Sequence, residues 1–314
     1  MSPPMIATTT SSFSTADSPA HRLLLDAGCE VRVNPHGRKL TEDESVAVLR
    51  GAHGVIAGTS PLNQKVLDEA PDPAVISRVG VGLDSVDLEA VHQRGIDLFV
   101  TADAVRAPVA ELTVGLMLAV LRAIPETDRR MRAGEWRQHT GRLLGERTVG
   151  IVGFGGIGRT VAQLLRGFGC RILAHDAAGI PDAEAAELGV EVGSLAEVLS
   201  ESDVVTVHVP LVPGTRNLIG GNELSAMPTD SILVNTARGG IVDEDALLEA
   251  LQDGHLAGAA LDVFGQEPYD GPLLGLDQVV VTAHIGSAAR EARDRMELEA
   301  VERLLSALRR RGVL

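Results

Sequence analysis

Gly153-Phe154-Gly155-Gly156-Ile157-Gly158 follows an apolar strand predicted at Thr148–Val152 and begins a helix predicted over residues 159–167. This G-x-G-x-x-G spacing between a strand and a helix is typical of dinucleotide-binding domains. Gly153 permits the tight turn, Gly155 lets the backbone approach a pyrophosphate, and Gly158 lets the helix pack closely on the strand. The helix N-terminus then offers its N–H groups and positive dipole end to the phosphates. The alternative is a glycine-rich turn in a domain of this class that has lost its ligand.

An acidic residue reinforces this interpretation. Asp176 stands at the end of the next predicted strand, 18 residues after Gly158. An acid at this place can accept hydrogen bonds from ribose hydroxyls, and it repels a 2′-phosphate. Ala177 and Ala178 follow, so there is no arginine to receive such a phosphate. The sequence therefore predicts NAD rather than NADP as the cofactor.

Strands and helices alternate along almost the whole chain, which is typical of parallel sheets with crossover helices. The predicted strands are residues 5–9, 30–33, 54–57, 75–78, 97–100, 148–152, 171–174, 204–207, 232–235, 258–261 and 279–281. The predicted helices include residues 20–27, 41–49, 64–70, 88–94, 108–122, 159–167 and 288–308. One α/β unit precedes the long helix at 108–122, and a second begins at Thr148 after a polar stretch. We expect an α/β protein with two Rossmann-like domains on doubly wound parallel sheets.

The composition of the chain argues against several classes of partner. The formal net charge is −15, whereas nucleic acids and anionic membranes require clustered positive charge. The longest apolar run, near residues 109–121, contains Glu111 and is too short to span a bilayer. Cys29 and Cys170 are the only cysteines and lack metal-ligand spacing, so no metal site is expected. With no visible secretory signal, we expect a cytoplasmic protein without nucleic-acid or membrane partners.

Three charged or titratable residues follow successive predicted strands. Arg238 comes after the strand at Ile232–Asn235, Glu267 follows Gly258–Leu261, and His284 follows Val279–Val281. The carboxyl ends of parallel strands meet at one edge of a sheet, so these side chains can converge. Arg offers a planar fork to a carboxylate, His can accept a hydroxyl proton during hydride transfer, and Glu can orient the imidazole. The alternative is that each is an ordinary surface-loop residue.

Five segments together resemble the D-isomer-specific 2-hydroxyacid dehydrogenases, in particular their short, phosphoglycerate-dehydrogenase-like branch. The segments are the glycine motif, His208-Val209-Pro210-Leu211, residues 235–240, residues 262–268 and His284-Ile285-Gly286. The resemblance extends from Gly54 at least to the final helix. It implies an NAD-dependent enzyme that transfers a hydride between nicotinamide and a small anionic D-2-hydroxy acid or 2-oxo acid.

The resemblance also implies how the domains are organised. The NAD-binding domain, residues 104–288, would be inserted into a flavodoxin-like substrate domain made of residues 1–103 and 289–314. The helices at 108–122 and 288–308 would link the two domains, with a substrate cleft between them. Members of this family usually form homodimers through the NAD-binding domain, including the segment around Trp136.

Individual roles follow from the resemblance residue by residue. Arg238 would bind the substrate carboxylate and carbonyl, His284 would be the acid/base, and Glu267 its partner. Gly156 and Ile157 would contact the pyrophosphate, and Asp176 the adenine ribose. The remaining cofactor contacts would be Val209, Pro210, Thr215, Thr236, Ala237, Asp262 and Gly286, with Asp262 near the nicotinamide carboxamide. The turn Arg78-Val79-Gly80-Val81-Gly82 would bring backbone N–H groups to the substrate carboxylate, which its glycines make physically natural.

The substrate itself stays open at this point. Enzymes that act on 3-phosphoglycerate tend to have a basic residue where this chain has the neutral loop Gly58-Thr59-Ser60, although Arg78 matches another basic position. The chain also stops soon after the linking helix, so feedback control through a regulatory domain is not expected. Two other functions stay open, a catalytically silent NAD(H)-sensing protein related to corepressors and a dehydrogenase of a phosphite-type or phosphonate-type oxyanion. The first is disfavoured because Arg238, Glu267 and His284 are all retained.

Overall fold

The computed structural model describes residues 3–11, 13 and 18–314. The chain divides into two compact units. Unit 1 consists of Met1–Val105 and Ser287–Leu314, and unit 2 is Arg106–Gly286. The first two residues, Ser12 and residues 14–17, which belong to the predicted substrate domain, lie outside the described residues. Each unit has its own parallel sheet, so the predicted fold class is confirmed.

The elements alternate in the predicted way. The strands are β1 (Met5–Thr8), β2 (Glu30–Arg32), β3 (Gly54–Ala57), β4 (Val75–Arg78), β5 (Asp97–Val100), β6 (Thr148–Val152), β7 (Arg171–His175), β8 (Glu191–Val192), β9 (Val204–Val207), β10 (Ile232–Asn235), β11 (Gly258–Leu261) and β12 (Val279–Val281). The α-helices are α1 (Pro19–Asp26), α2 (Glu42–Leu49), α3 (Gln64–Glu69), α4 (Leu88–Gln93), α5 (Arg106–Leu121), α6 (Ile124–Arg132), α7 (Gly156–Leu165), α8 (Asp182–Leu188), α9 (Leu195–Glu201), α10 (Gly221–Ala226), α11 (Glu244–Gln252) and α12 (Arg290–Arg310). Short 3₁₀ turns lie at Leu144–Glu146, Arg166–Phe168, Pro213–Thr215 and Pro272–Gly275.

Unit 1 is a five-stranded parallel sheet in the order β2-β1-β3-β4-β5. Successive residues of a strand point to opposite faces, so Val55 packs under α2, α3 and α4 while Ile56 packs under α1 and α12. The C-terminal helix α12 therefore completes the core of unit 1. Thr41 caps α2, since its side chain accepts from the Glu44 N–H and the Glu44 carboxylate accepts from the Thr41 N–H.

Unit 2 is a seven-stranded parallel sheet in the order β12-β11-β10-β9-β6-β7-β8. Helices cover both faces, as a parallel sheet requires. Ile232 and Val234 of β10 pack with α5 and α7, whereas Leu233 between them packs with α9, α10 and α11. The strand order reverses between β6 and β9. In open α/β sheets, ligands bind beyond the carboxyl ends of the strands at such a reversal.

The strand registers of unit 2 align these carboxyl ends. Val152 at the end of β6 pairs with His175 of β7 and with Val207 of β9. Asn235 at the end of β10 pairs with Val207 and with Leu261, which in turn pairs with Val281. The loops that follow β6, β7, β9, β10, β11 and β12 therefore emerge at one edge of the sheet.

Two elements are absent from the sequence-based prediction, and one begins earlier than expected. Helix α6 lies within the stretch predicted only as polar. None of its residues is buried, and Glu126–Arg130 and Asp128–Arg132 ion pairs stabilise it along its exposed surface. Strand β8 has two residues, too few for a periodic pattern. Helix α7 begins at Gly156 rather than Arg159, because the glycines of the motif form its first turn.

A helix that crosses a membrane must be both long and apolar. Within residues 3–11, 13 and 18–314, no single helix is long and apolar enough to cross a membrane. Helices α5 and α6 reach that length and composition only as a pair, and the pair is bent by 61°.

Candidate active site

The glycine motif forms a cradle at the start of α7. Gly153 has φ of +99°, and a Cβ there would lie 2.7 Å from the backbone of His208 and Val209. A Cβ on Gly158 would overlap the carbonyl oxygen of Gly153. By contrast, a Cβ on Gly155 would meet nothing within 4 Å. The loops after β6 and β9 thus pack together through glycine, and open space remains at the N-cap of α7, which suits a pyrophosphate.

Asp176 lies directly after β7 and is tied to the glycine motif. Its Oδ2 accepts a hydrogen bond from the Phe154 N–H at 2.7 Å, and its Oδ1 accepts one from the Ala178 N–H at 2.9 Å. These bonds fix the half-buried carboxylate beside the motif. Each carboxylate oxygen has two acceptor sites, so capacity remains for ribose hydroxyls. The residues present therefore fit an NAD-type dinucleotide.

His284 and Glu267 form a hydrogen-bonded pair. The His284 Nδ1 lies 2.9 Å from Oε2 and 3.2 Å from Oε1 of Glu267. The Glu267 Oε1 also accepts a hydrogen bond from the Phe264 N–H at 3.1 Å, which orients the carboxylate. A donated bond from Nδ1–H fixes the orientation of the ring and leaves Nε2 to face a substrate. The side chain of His284 is 48% exposed, so a ligand can reach it.

Asp262 holds the turn that carries His284. Its buried carboxylate accepts three hydrogen bonds, from the Thr282 hydroxyl and the Ile285 N–H at Oδ1 and from the Gly286 N–H at Oδ2, at 2.6, 2.8 and 2.8 Å. Its carbonyl oxygen accepts from the His284 N–H at 2.9 Å. Both carboxylate oxygens are thus engaged by the turn, and the contact with the nicotinamide carboxamide that the resemblance implied for Asp262 stays a prediction.

Arg238 lies in the turn after β10. Asn235 closes this turn, since its Oδ1 accepts from the Ala237 N–H and its Nδ2 donates to the Arg238 carbonyl, both at 3.0 Å. The half-buried Arg238 guanidinium donates through Nη1 to the Ala237 carbonyl at 2.7 Å. A Cβ on Gly239 would overlap the backbone of Phe264, so the loop with Arg238 packs directly on the loop with Glu267. The structure thereby brings the loops of all three predicted catalytic residues to one edge of the sheet.

The other predicted cofactor residues lie in the same loops. Val209 and Ala237 are half-buried and Pro210 is exposed. The Thr215 hydroxyl donates to the Pro210 carbonyl at 2.5 Å and accepts from the Val212 N–H at 2.9 Å. The Thr236 hydroxyl bonds to that of Thr113 on α5 at 2.8 Å. These two hydroxyls therefore stabilise the loops.

The predicted substrate turn in unit 1 has several groups that bond within that unit. The Val79 N–H donates to the Ala57 carbonyl at 3.0 Å, and the Gly80 N–H donates to the Thr101 hydroxyl at 2.7 Å. The buried Arg78 guanidinium donates to the carbonyls of Val79, Ala57 and Gly82. The N–H groups of Val79 and Gly80 are therefore engaged within unit 1, and the role of residues 78–82 at the substrate carboxylate stays a prediction.

His208 directly follows β9, and its ring nitrogen Nδ1 is buried. Its Nε2 lies 3.0 Å from the Thr206 hydroxyl. Among the residues that the structure describes, no hydrogen-bond partner is found for its buried Nδ1. Burial lowers the pKa of His208 to about 3, so the ring is neutral near physiological pH. His175, at the end of β7, is half-buried, and its Nδ1 lies 3.1 Å from the Gly193 carbonyl oxygen.

Sequence reasoning missed two residues at this edge. Thr282 reaches the site only through Asp262, and Arg106 lies against Gly156 although the two are far apart in sequence. The residue types of His284 and Glu267 indicated acid/base chemistry in the sequence, whereas a Thr or an Arg outside the motifs indicated no particular role. No group of three His, Cys, Asp or Glu side chains that could hold a metal ion occurs within the described part of the chain.

Comparisons with known proteins agree in pointing to one family. A family model described as "D-isomer specific 2-hydroxyacid dehydrogenase, NAD binding domain" matches residues 114–286. A D-3-phosphoglycerate dehydrogenase of Methanocaldococcus jannaschii is 39% identical over 86% of this chain and 52% of its own length. The chain therefore spans about half the length of that relative. A glyoxylate reductase of Korarchaeum cryptofilum is 41% identical over 79% of this chain and 77% of its own length. The crystal structure of the TT0316 protein of Thermus thermophilus is 39% identical, covers 97% of both chains and has a TM-score of 0.88.

Proposed function

This chain belongs to the D-isomer-specific 2-hydroxyacid dehydrogenase family, and we propose that it transfers a hydride between NAD(H) and a small anionic 2-oxo or D-2-hydroxy acid. The observation that carries this proposal is the His284–Glu267 pair, held at the same sheet edge as the glycine cradle and the Arg238 turn. A glycine cradle alone supports only the binding of a dinucleotide. An acid/base pair at the same sheet edge supports catalysis as well.

The cofactor is held by backbone and by one acid. When bound, NADH supplies the hydride. The N-terminal turn of α7 offers its N–H groups to the pyrophosphate, and Asp176 accepts hydrogen bonds from the adenine ribose. The carboxylate repels a 2′-phosphate, so we propose a preference for NAD over NADP.

The proton is moved by His284. In the reductive direction, its Nε2 donates a proton to the carbonyl oxygen of the substrate as that oxygen gains charge. Glu267 accepts the Nδ1–H bond throughout, so the ring keeps its orientation while its charge changes. In the oxidative direction the same Nε2 accepts the hydroxyl proton.

Arg238 binds and polarises the acid. A guanidinium can place parallel N–H groups on a carboxylate oxygen and on the neighbouring carbonyl oxygen. The bond from Nη1 to Ala237 fixes the plane of the fork before the substrate arrives. This preorganisation stabilises the negative charge that develops on the carbonyl oxygen during hydride transfer.

We further propose that the substrate lacks a phosphate. The loop at Gly58–Ser60 is neutral, and its Ser60 hydroxyl, fully buried, donates to the Thr9 carbonyl and accepts from the Leu40 N–H. The Arg78 guanidinium is buried and donates to three backbone carbonyls.

We propose a homodimer that forms through unit 2. Large apolar side chains are exposed in one segment of that unit, with Ile124 at 53%, Trp136 at 82% and Leu143 at 64%. Exposed apolar patches of this kind mark protein interfaces. Light scattering should report a dimer for the native chain and a monomer for Trp136→Ser with Leu143→Ser. Leu88→Ser, at an exposed position of unit 1, is the matched control and should leave the dimer intact.

The test of the main proposal is a substrate screen. The purified protein is mixed with NADH and, in turn, with glyoxylate, hydroxypyruvate, pyruvate and 3-phosphohydroxypyruvate, and NADH oxidation is followed by its near-ultraviolet absorbance. We expect turnover of glyoxylate or hydroxypyruvate with a higher kcat/KM than that of the phosphorylated acid. Tight NADH binding without turnover of any acid would instead support the NAD(H)-sensing alternative, and oxidation of phosphite with NAD would support the oxyanion alternative.

A further inference from the structure

Tyr269, the only tyrosine of the chain, stacks on Phe264 in the loop between β11 and β12. The two ring centroids are 4.3 Å apart, and the rings are inclined by 17°. Phe264 is buried in the apolar core on one face of the unit 2 sheet, and the half-buried Tyr269 packs against the same core. Stacked aromatic pairs stabilise a structure beyond the apolar area that they bury, so this contact restrains the loop.

The hydroxyl end of Tyr269 is also held by the chain that follows it. The Leu273 N–H donates to the Tyr269 Oη at 3.4 Å, and a Cβ on Gly271 would overlap the phenol ring, 2.4 Å from its Cζ. Burial raises the pKa of the Tyr269 phenol, and neighbouring carboxylates act in the same direction. The phenol therefore stays protonated near neutral pH, and its contribution is made through packing.

Phe264 connects this stack with the acid/base pair. Its N–H donates to Oε1 of Glu267 at 3.1 Å. In the part of the chain that the structure describes, the Phe264 N–H and the His284 ring are the groups that bond to the Glu267 carboxylate. The Glu267 side chain is 37% exposed, so these bonds rather than packing fix its carboxylate. The position of the Phe264 N–H therefore decides how the carboxylate faces the imidazole.

Other contacts restrain the turn on the carbonyl side of Phe264. The Gly265 N–H donates to Oε1 of Glu244 on α11 at 2.6 Å. A Cβ on Gly239 would overlap the Phe264 carbonyl group, so the two loops are in direct backbone contact there. The stack with Tyr269 adds the restraint on the ring. Together, the backbone contacts and the stack set the orientation of the Phe264 N–H.

We propose that Tyr269 is a positioning residue for the acid/base pair, since its ring fixes Phe264 and the Phe264 N–H fixes the Glu267 carboxylate that orients His284. The inference rests on the proposed function, because it assumes that His284 exchanges a proton with the substrate. Tyr269 itself touches neither the imidazole nor the reacting atoms in this scheme. Its loss should therefore slow the chemical step and leave the binding of ligands close to native.

The test compares variants of the stack in the full-length protein. kcat and KM are measured with NADH and glyoxylate or hydroxypyruvate, and calorimetry gives the dissociation constant for NADH. Tyr269→Leu keeps an apolar side chain and removes the stacked ring. We expect kcat to fall about tenfold, because small displacements of a reacting group are costly. KM for the acid and the dissociation constant for NADH should stay within about twofold of native.

Two further variants show whether the ring is what matters. Tyr269→Phe keeps the stacked ring and loses only the long hydrogen bond from Leu273, so it should restore most of the native kcat. Leu274→Ala is the matched control, because it removes an exposed apolar side chain from the 3₁₀ turn that follows Tyr269. Its kcat should equal that of the native protein. If Tyr269→Leu does not fold, Phe264→Leu breaks the same stack from the other side and should give the same loss of kcat.

A double-mutant cycle separates positioning from a general loss of structure. If Tyr269 acts through Glu267, adding Tyr269→Leu to Glu267→Ala should lower kcat by less than about twofold more. A further loss of about tenfold in the double variant would overturn the proposal, because the two changes would then be independent. Native kcat in Tyr269→Leu would overturn it too, and so would a defect in KM alone, which would place the effect at the Arg238 turn. If the native protein turned over none of the 2-oxo acids, the proposed function itself would fail.

Discussion

The N–H of His284 donates a hydrogen bond to the carbonyl oxygen of Asp262, while the Asp262 carboxylate accepts from the two N–H groups that follow His284. His284 has φ of +52°, in the left-handed region that favours glycine, and this conformation costs about 1 kcal/mol or more in a residue with a side chain. The bonds to Asp262 offset that cost. Asp262 is thus a positioning residue that fixes the direction of the imidazole toward Glu267.

Replacing Asp262 should therefore impair catalysis more than binding. In Asp262→Asn, one end of the side chain becomes a donor and faces the N–H of Ile285 or of Gly286, so the turn loses a bond. We expect kcat to fall by about 10- to 100-fold, because small displacements of a reacting group are costly. Calorimetry should show a dissociation constant for NADH close to that of the native protein. A large loss of NADH affinity with kcat preserved would instead support the predicted carboxamide contact.

Thr282→Val provides a milder version of the same change. The Thr282 hydroxyl donates to Asp262 Oδ1 at 2.6 Å, so the variant removes one bond to the carboxylate and keeps the side-chain shape. Its effect on kcat should have the same direction as that of Asp262→Asn and be smaller. Native kcat in Thr282→Val together with a strong defect in Asp262→Asn would show that the bonds from the Ile285 and Gly286 N–H groups hold the turn without the Thr282 hydroxyl.

His284→Asn tests the proton transfer directly. The variant removes the group that exchanges a proton with the substrate, so kcat should fall by about 10²- to 10⁴-fold. Affinity for NADH should stay near native because the glycine cradle is untouched. Stopped-flow measurement of a single turnover reports the chemical step, and a native rate in this step would remove His284 from the mechanism.

Asp176→Ala tests the choice of cofactor. Without the carboxylate, the adenine ribose loses an acceptor and a 2′-phosphate is no longer repelled. Compared with the native protein, we expect a larger dissociation constant for NADH and a smaller one for NADPH. The preference for NADH over NADPH should therefore be relaxed. Better use of NADPH than of NADH by the native enzyme would contradict the role given to Asp176.

The buried His208 gives a pH dependence of stability. Its pKa is about 3 in the folded chain and 6.5 in an unfolded one, so between these values only the unfolded chain binds the proton. This contribution to stability is present above pH 6.5 and is lost as the pH falls toward 3, by up to about 1.4 kcal/mol per pH unit. The unfolding temperature of His208→Gln should therefore fall less between neutral and mildly acidic pH than that of the native protein. The unfolding temperature of His92→Gln, a variant at an exposed position, should fall as much as that of the native protein.

The sequence was sufficient for the strands other than β8 and for the shared sheet edge of the loops with Arg238, Glu267 and His284, but not for the contacts between distant loops. Apolar runs such as Val204–Val207 predict strands of a parallel sheet, because such a sheet is buried on both faces. The engagement of Val79 and Gly80 within unit 1 depends on the neighbouring Ala57 and Thr101, which no local pattern specifies. The proximity of Arg106 and Gly156 likewise depends on how α5 packs along α7.

The most direct test of substrate binding concerns the geometry of Arg238 rather than its charge. A 2-oxo acid must be held so that its carbonyl carbon faces the nicotinamide, which requires two fixed contacts on the acid. The guanidinium donates through Nη1 to the Ala237 carbonyl, and the planar arrangement of its N–H groups matches the geometry of a carboxylate and its neighbouring carbonyl. An ammonium group is a single point charge and cannot hold its own turn and span two oxygens in one plane. Arg238→Lys should therefore raise KM and lower kcat together, Arg238→Ala should be worse in both, and NADH affinity should barely change in either. Native activity in Arg238→Lys would show that charge alone suffices, and equal turnover of an aldehyde or ketone without the carboxylate would remove Arg238 from substrate binding altogether.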